Sequence, residues 1–172
     1  MIAAIACTDN NWCIGKDNHL LFHIKDDLRF FNKMTVGNVV CMGKNTLLSL
    51  PGSKPLKDRT NIVLSSTSTF DDCICCKTLS ELIACIKEAE KSTDVFIIGG
   101  GQLYKALLHL CDKVYITKVN AFLNGDVFFP NLDFRDDFEL CEQSPIYEEN
   151  GLQYKFCIYE PRQRQRELTM EM

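Results

Sequence analysis

Asp27 is the residue from which a chemistry first emerges. If a helix begins near Asp26, with side chains ~100° apart, Asp27 shares a face with Phe31 and Met34 and is flanked by Leu28 and Phe30. A carboxylate set in an aromatic stripe is desolvated, so its pKa moves upward and it becomes able to handle a proton near neutral pH. The competing account is that Asp26 and Asp27 both complement the positive end of the helix dipole; Asp26 fits it well and Asp27 less well.

Two further groups point to a phosphate-bearing ligand. Gly99, Gly100 and Gly101 follow an apolar run and open a helical pattern, and glycine allows close backbone approach where a helix N-terminus attracts phosphate. A tight strand-to-helix turn accounts for one of these glycines and leaves two unexplained. The triplet is not a Rossmann dinucleotide fingerprint: Tyr104 stands where its third glycine would fall, and no acid lies about 20 residues on to grip a ribose. Gly43, Lys44, Asn45 and Thr46 follow the apolar run VVCM, placing a cation and a hydroxyl at a strand's C-terminal end, where α/β sheets hold ligands. A solvated lysine beside a capping threonine is the plain alternative.

The elements that must position these groups alternate in period. Residues 2–7, 39–42, 61–65 and 94–98 are short apolar runs bounded by turn residues and predict buried strands. Thr78 with Glu81 forms a capping box, and Leu79, Leu82, Ile83 and Ile86 then keep helical spacing, predicting a helix over 79–91. After the glycines, Leu103, Ala106, Leu107 and Leu110 predict a second helix. Residues 113–119, 138–142 and 153–159 predict strands with no good helix between them, so the C-terminal third should be antiparallel. The fold class expected is α/β, with parallel strands in the first two thirds.

With 172 residues, 46% of them hydrophobic, the chain fits one domain able to bury roughly 70% of its unfolded surface. A net charge of −4 gives no general attraction to nucleic acid. No apolar run approaches the ~18 residues of a membrane helix, and the start lacks a basic flank and soon meets Asp9, so a soluble, cytoplasmic protein is expected. The ten cysteines are expected to be reduced, mostly as small buried hydrophobes. Cys73, Cys75 and Cys76 lack a second ligand pair, and neighbours on a strand face opposite ways, so no metal is expected. A catalytic domain over 1–160 and a charged, frayed tail over 161–172 complete the expected organisation.

Taken in order, IAAIACTDNNWCIGKDNHLLFHIKDDLRFFNKMT, VVCMGKNT, NIVLSS, VFIIGGGQLY, VYITKV and GDVFFP resemble dihydrofolate reductase over about residues 2–159. The resemblance implies a central mixed, mostly parallel eight-stranded sheet flanked by helices, and NADPH-dependent reduction of 7,8-dihydrofolate to tetrahydrofolate in a monomeric antifolate target that serves one-carbon and thymidylate synthesis. It makes Asp27 the carboxylate that binds the pteridine and promotes protonation of N5, with Thr117 hydrogen-bonded to it. Ile5, Cys7, Leu28, Phe31, Leu50, Leu56, Ile98 and Tyr104 would line the folate site, and Arg59 would clamp the glutamate carboxylate. On the cofactor side it implies Cys7 and Ile14 through their backbone, then Gly15, Gly43, Lys44, Asn45, Thr46, Leu64, Ser65, Ser66, Lys77, Gly99, Gly100, Gly101, Gln102 and Leu103. Residues 15–20 match the mobile loop that covers the site, and Asp126 the acid that helps hold it closed.

Two departures bear on mechanism. Phe22 stands at the catalytic centre where the family usually has Trp, removing an N–H donor to an ordered water. Gln102 replaces a basic residue found in some members, leaving Lys44, Ser66 and Lys77 to set NADPH preference. Two alternatives remain open at this point: a reductase of the same fold acting on a ribosylated pyrimidine or pterin, and a nucleotide-binding module without turnover.

Overall fold

The structure is a computed structural model and describes residues 1–16, 19–20 and 22–162. Twelve strands and four α-helices are described. In chain order they are β1 (Ile2–Thr8), β2 (Cys13–Lys16), β3 (His19–Leu20), α1 (Lys25–Thr35), β4 (Val39–Gly43), α2 (Lys44–Ser49), β5 (Thr60–Leu64), β6 (Ile74–Cys76) and α3 (Leu79–Glu90). There follow β7 (Val95–Gly99), α4 (Gly101–Leu107), β8 (Lys113–Val119), β9 (Val127–Phe128), β10 (Phe138–Gln143), β11 (Tyr147–Glu149) and β12 (Leu152–Pro161).

The main sheet runs β10-β12-β8-β1-β7-β4-β5-β6, with β11 added beside β12. The six strands from β8 to β6 are parallel, and β12 and β10 are antiparallel. The expected eight strands are therefore present, and the three-residue β11 makes a ninth. Central strands carry apolar side chains on both faces because helices cover both. Ile2 and Ala4 join Leu82 and Ile86 of α3 and Leu103 and Leu107 of α4 on one side. Ala3 and Ile5 join Leu47 of α2 and Phe30, Phe31 and Met34 of α1 on the other. The period-2 alternation along β1 thus divides two cores.

Local signals set the helix ends. Thr78 accepts a hydrogen bond from the Glu81 N–H, while the Glu81 carboxylate reaches back to the N–H of Lys77, one residue before the cap. Helix α1 has no side-chain cap of its own; Glu149, on the β11 strand, accepts from the Lys25 N–H at 2.9 Å. Strand β12 continues to Pro161, and the Arg162 N–H bonds to the carbonyl of Asp137, so order reaches past the boundary expected at 160.

A second, three-stranded sheet, β3-β2-β9, was not anticipated. It pairs Cys13 with Phe128 and Gly15 with Val127, so part of the expected mobile loop over 15–20 is strand. Residues 17, 18 and 21, the side chains of 19 and 20, and the tail from 163 onward lie outside the described residues. Among the described residues no helix is long and apolar enough to cross a membrane. All ten cysteines are free thiols. Cys76 faces Cys85 with its sulfur at 3.6 Å while Cys75 turns to the backbone of Phe70, so the adjacent pair diverges as its strand position requires.

Candidate active site

Asp27 lies in the first turn of α1, on the side that packs over β1 and β8. Thr117 Oγ1 donates to its Oδ1 at 2.5 Å. Thr117 is itself buried and stands beside Cys7 in the parallel β1–β8 register, so both side chains leave the same face of the sheet. Burial pushes the Asp27 carboxyl above its ordinary value, and the Thr117 hydrogen bond, followed by the influence of the Cys7 thiol, pulls it part of the way back. Asp26, its neighbour, turns outward, paired with Arg29 at 2.8 Å and accepting from the Tyr154 hydroxyl at 3.0 Å. The two acids divide as the stripe argument requires: one is an outward surface acid and the other is held against the sheet.

An apolar wall extends from Asp27. Ile5, Phe31, Leu50, Leu56 and Ile98 all belong to or pack against the core on this side of the sheet, whereas Leu28 is 44% exposed. Tyr104, buried beneath, donates its hydroxyl to the Ile5 carbonyl at 2.6 Å. Phe22 packs with Ile24, Val119 and Tyr154, with Cys7 against the same group. At the far end of the wall, the Arg59 guanidinium lies over the Phe31 ring at 5.8 Å and gives one N–H to Asn32. Its Nε and Nη1 are buried without a partner, and burial lowers its pKa while Asp58 raises it. Buried guanidinium donors left without a partner fit an anionic group such as a carboxylate.

The glycine triplet and the Lys44 segment, separate in sequence, meet in space. A Cβ on Gly99, whose φ is +137°, would lie 3.0 Å from Thr46 Oγ1, and one on Gly101 would lie 2.9 Å from the Phe128 carbonyl oxygen. The two glycines a simple turn left unexplained are therefore fixed by Thr46 on one side and by β9 on the other. The peptide between Gly99 and Gly100 is cis. Lys44 extends from the start of α2 to the Ser68 and Thr67 hydroxyls at 3.1 and 3.4 Å. Ser65, buried at the end of β5, accepts from the Ser68 N–H. Of the other residues expected on the cofactor side, Ser66, Lys77, Asn45 and Gln102 are exposed, Leu64 and Gly43 half-buried, and Leu103 buried in the core with Leu107. Ile14 and Gly15 are buried in β2, where the Asp126 N–H bonds to the Gly15 carbonyl at 3.0 Å.

The chain matches the family model described as dihydrofolate reductase over residues 1–161. It is 37% identical to dihydrofolate reductase of Bacillus subtilis (strain 168), over 93% of this chain and 94% of that one. It is 35% identical to the dihydrofolate reductase of Schistosoma mansoni, over 91% and 94% of the two chains. A solved structure, dihydrofolate reductase from Enterococcus faecalis complexed with NADP(H) and RAB-propyl, superposes with a TM-score of 0.83 at 30% identity, covering 95% of this chain and 97% of that one. The chain belongs to the dihydrofolate reductase family.

Three features of this dihydrofolate reductase chain went unseen in its sequence. The Cys7 side chain, expected only to line the folate site, bears on Asp27 itself. Asp9, buried after β1, accepts from the N–H groups of Asn11, Cys13 and Leu123 and so ties the β1–β2 turn to the segment before β9. Thr67 and Ser68 face Lys44. Only Asp9 left a local signal, a carboxylate ahead of two asparagines at a strand end.

Proposed function

We propose that the protein reduces 7,8-dihydrofolate to 5,6,7,8-tetrahydrofolate with NADPH, Asp27 assisting protonation of N5. The observation that carries this is the arrangement along α1. Asp27 is at one end of an apolar wall and the unpaired donors of Arg59, over Phe31, are at the other. The four residues from Asp27 to Phe31 span about 6 Å of helix. A flat hydrogen-bonding ring followed by an apolar linker and a carboxylate matches that order of groups. The same order counts against a ribosylated pyrimidine, which offers Arg59 no carboxylate.

NADPH supplies the hydride when bound. The residues fit such a cofactor: Lys44 with the Ser65, Thr67 and Ser68 hydroxyls provides a cation and donors suited to a 2'-phosphate, and the glycine turn, packed between Thr46 and β9, would offer its backbone N–H groups to a pyrophosphate. Leu64, Ser66, Lys77 and Asn45 would meet the adenosine end, and backbone at Cys7 and Ile14 the nicotinamide amide. Ile5, Phe31, Leu50 and Ile98 form an apolar wall that would exclude water from the reacting rings. Asp27 binds the pteridine and, with its pKa raised by burial, keeps a proton available at higher pH than an exposed aspartate could. Phe22 offers no N–H to a water beside the substrate, so water-assisted protonation of N5 would have to be arranged without that donor.

The test is NADPH oxidation that depends on added dihydrofolate. Stoichiometric consumption of both supports the proposal. Folded protein that binds NADPH but turns over neither substrate would leave a nucleotide-binding module instead.

A further inference from the structure

We infer that the Cys7 side chain is a positioning residue for the reaction: its S–H donates to Asp27 and, with Thr117, holds that carboxylate oriented toward the substrate. The inference rests on the proposed function and deepens it. Cys7 and Thr117 are register partners on the parallel strands β1 and β8, so their side chains stand next to each other on one face. Thr117 reaches Asp27 Oδ1 at 2.5 Å, and its strand neighbour Cys7 lies near enough to that carboxylate for the two groups to influence each other. An ionised carboxylate has about four acceptor sites and Thr117 fills one, leaving room for a second donor. On its other side Cys7 packs against the Phe22, Ile24, Val119 and Tyr154 cluster, which fixes the thiol's position.

The thiol acts here as a donor and not as a nucleophile. Burial, followed by the negative charge of Asp27, holds its pKa well above the ordinary thiol value, so it stays protonated through the working range. Among the described residues, the polar groups facing Asp27 are few. Cys7 comes from β1, Thr117 from β8, and Tyr104 from α4, whose hydroxyl is committed to the Ile5 carbonyl. On α1 itself, Asp26 is engaged outward by Arg29 and Tyr154. Among the described residues, the Cys7 thiol and the Thr117 hydroxyl are the two groups that oppose the upward pull of burial on the proton affinity of the acid.

Cys7→Ala and Cys7→Ser are nearly equal in volume and differ in whether a donor remains, so comparing them separates hydrogen bonding from packing. Asp27 is titrated directly by carbon-13 NMR of its carboxyl in each protein, with Asp27→Asn supplying the assignment, and the pH profile of dihydrofolate-dependent NADPH oxidation is recorded alongside. The midpoint in C7A is expected to lie about half a pH unit above that in C7S, the size of one modest hydrogen bond, with the rate profile moving in the same direction. Coincident midpoints in C7A and C7S would overturn the inference whatever their displacement from wild type. Should C7S not fold, C7A against wild type decides: a higher midpoint supports the role, and an equal or lower one removes it. Protein that never oxidises NADPH with dihydrofolate fails the proposed function, whereas active protein with coincident midpoints fails only the part assigned to Cys7.

Discussion

Thr117 and Asp27 are separated by 90 positions in the chain, yet the hydroxyl of the first donates to the carboxylate of the second at 2.5 Å. That bond favours the ionised acid, and burial between α1 and the sheet favours the neutral one, with burial the larger influence. The site thus contains an acid whose proton affinity is set by two opposed and separable causes.

Raised proton affinity carries a stability cost that Asp27→Asn should relieve. The folded state holds the Asp27 proton to a higher pH than the unfolded chain, whose aspartates titrate near ~3.9. Stability therefore falls as pH rises from the unfolded value through the folded one, and the full cost is present above both. Each pH unit between them is worth about 1.4 kcal/mol, enough to move a melting temperature by a few degrees. D27N should melt above wild type at pH 7, with the difference vanishing toward pH 3; a lower melting temperature at pH 7 would contradict the assignment.

Arg59→Leu should weaken folates selectively. Losing a charge-assisted hydrogen bond costs about 1.5–3 kcal/mol, roughly a tenfold to hundredfold rise in Kd. An antifolate without the glutamate tail should bind both proteins alike. Equal weakening of the two ligands by calorimetry would remove Arg59 from the carboxylate subsite.

Lys44→Ala should narrow cofactor preference. Its Nζ lies between the Thr67 and Ser68 hydroxyls, and under the proposed function it would meet the 2'-phosphate that NADH lacks. The Kd for NADPH is expected to rise roughly tenfold, with the larger effect at low salt, while that for NADH changes little. Parallel losses for both cofactors would assign Lys44 to the shared pyrophosphate instead.

Gly125→Ala tests the small sheet. A Cβ there would collide with Cys13 Sγ and with the Gly15 carbonyl oxygen, which accepts the Asp126 N–H. Relief requires β2 and β9 to separate, so about 1–3 kcal/mol of stability and much of the cofactor affinity should be lost together. Unchanged NADPH affinity by fluorescence titration would show that this sheet does not support the cofactor side.

Legibility in the sequence followed the range of the forces involved. Strand β8 and the start of α3 were readable to the residue, because an apolar run and a Thr78 cap are local signals. Asp27 was readable because its helical neighbours Phe31 and Met34 declare the face it occupies. Strands β2, β3 and β9 were not, since two- to four-residue strands depend on partners such as Cys13 and Phe128 that no local pattern links. The same holds for Glu149 at the start of α1 and for the Cys7 side chain, whose importance appears only when β1, β8 and α1 are assembled.

The most direct measurement is the single-turnover rate of NADPH oxidation by dihydrofolate, followed across pH in wild type and D27N. The wild-type rate is expected to hold a plateau and fall above a midpoint higher than that of an ordinary aspartate, while D27N is slow at neutral pH and recovers only as acid protonates the substrate from solvent. Superimposable profiles in the two proteins would contradict the role given to Asp27.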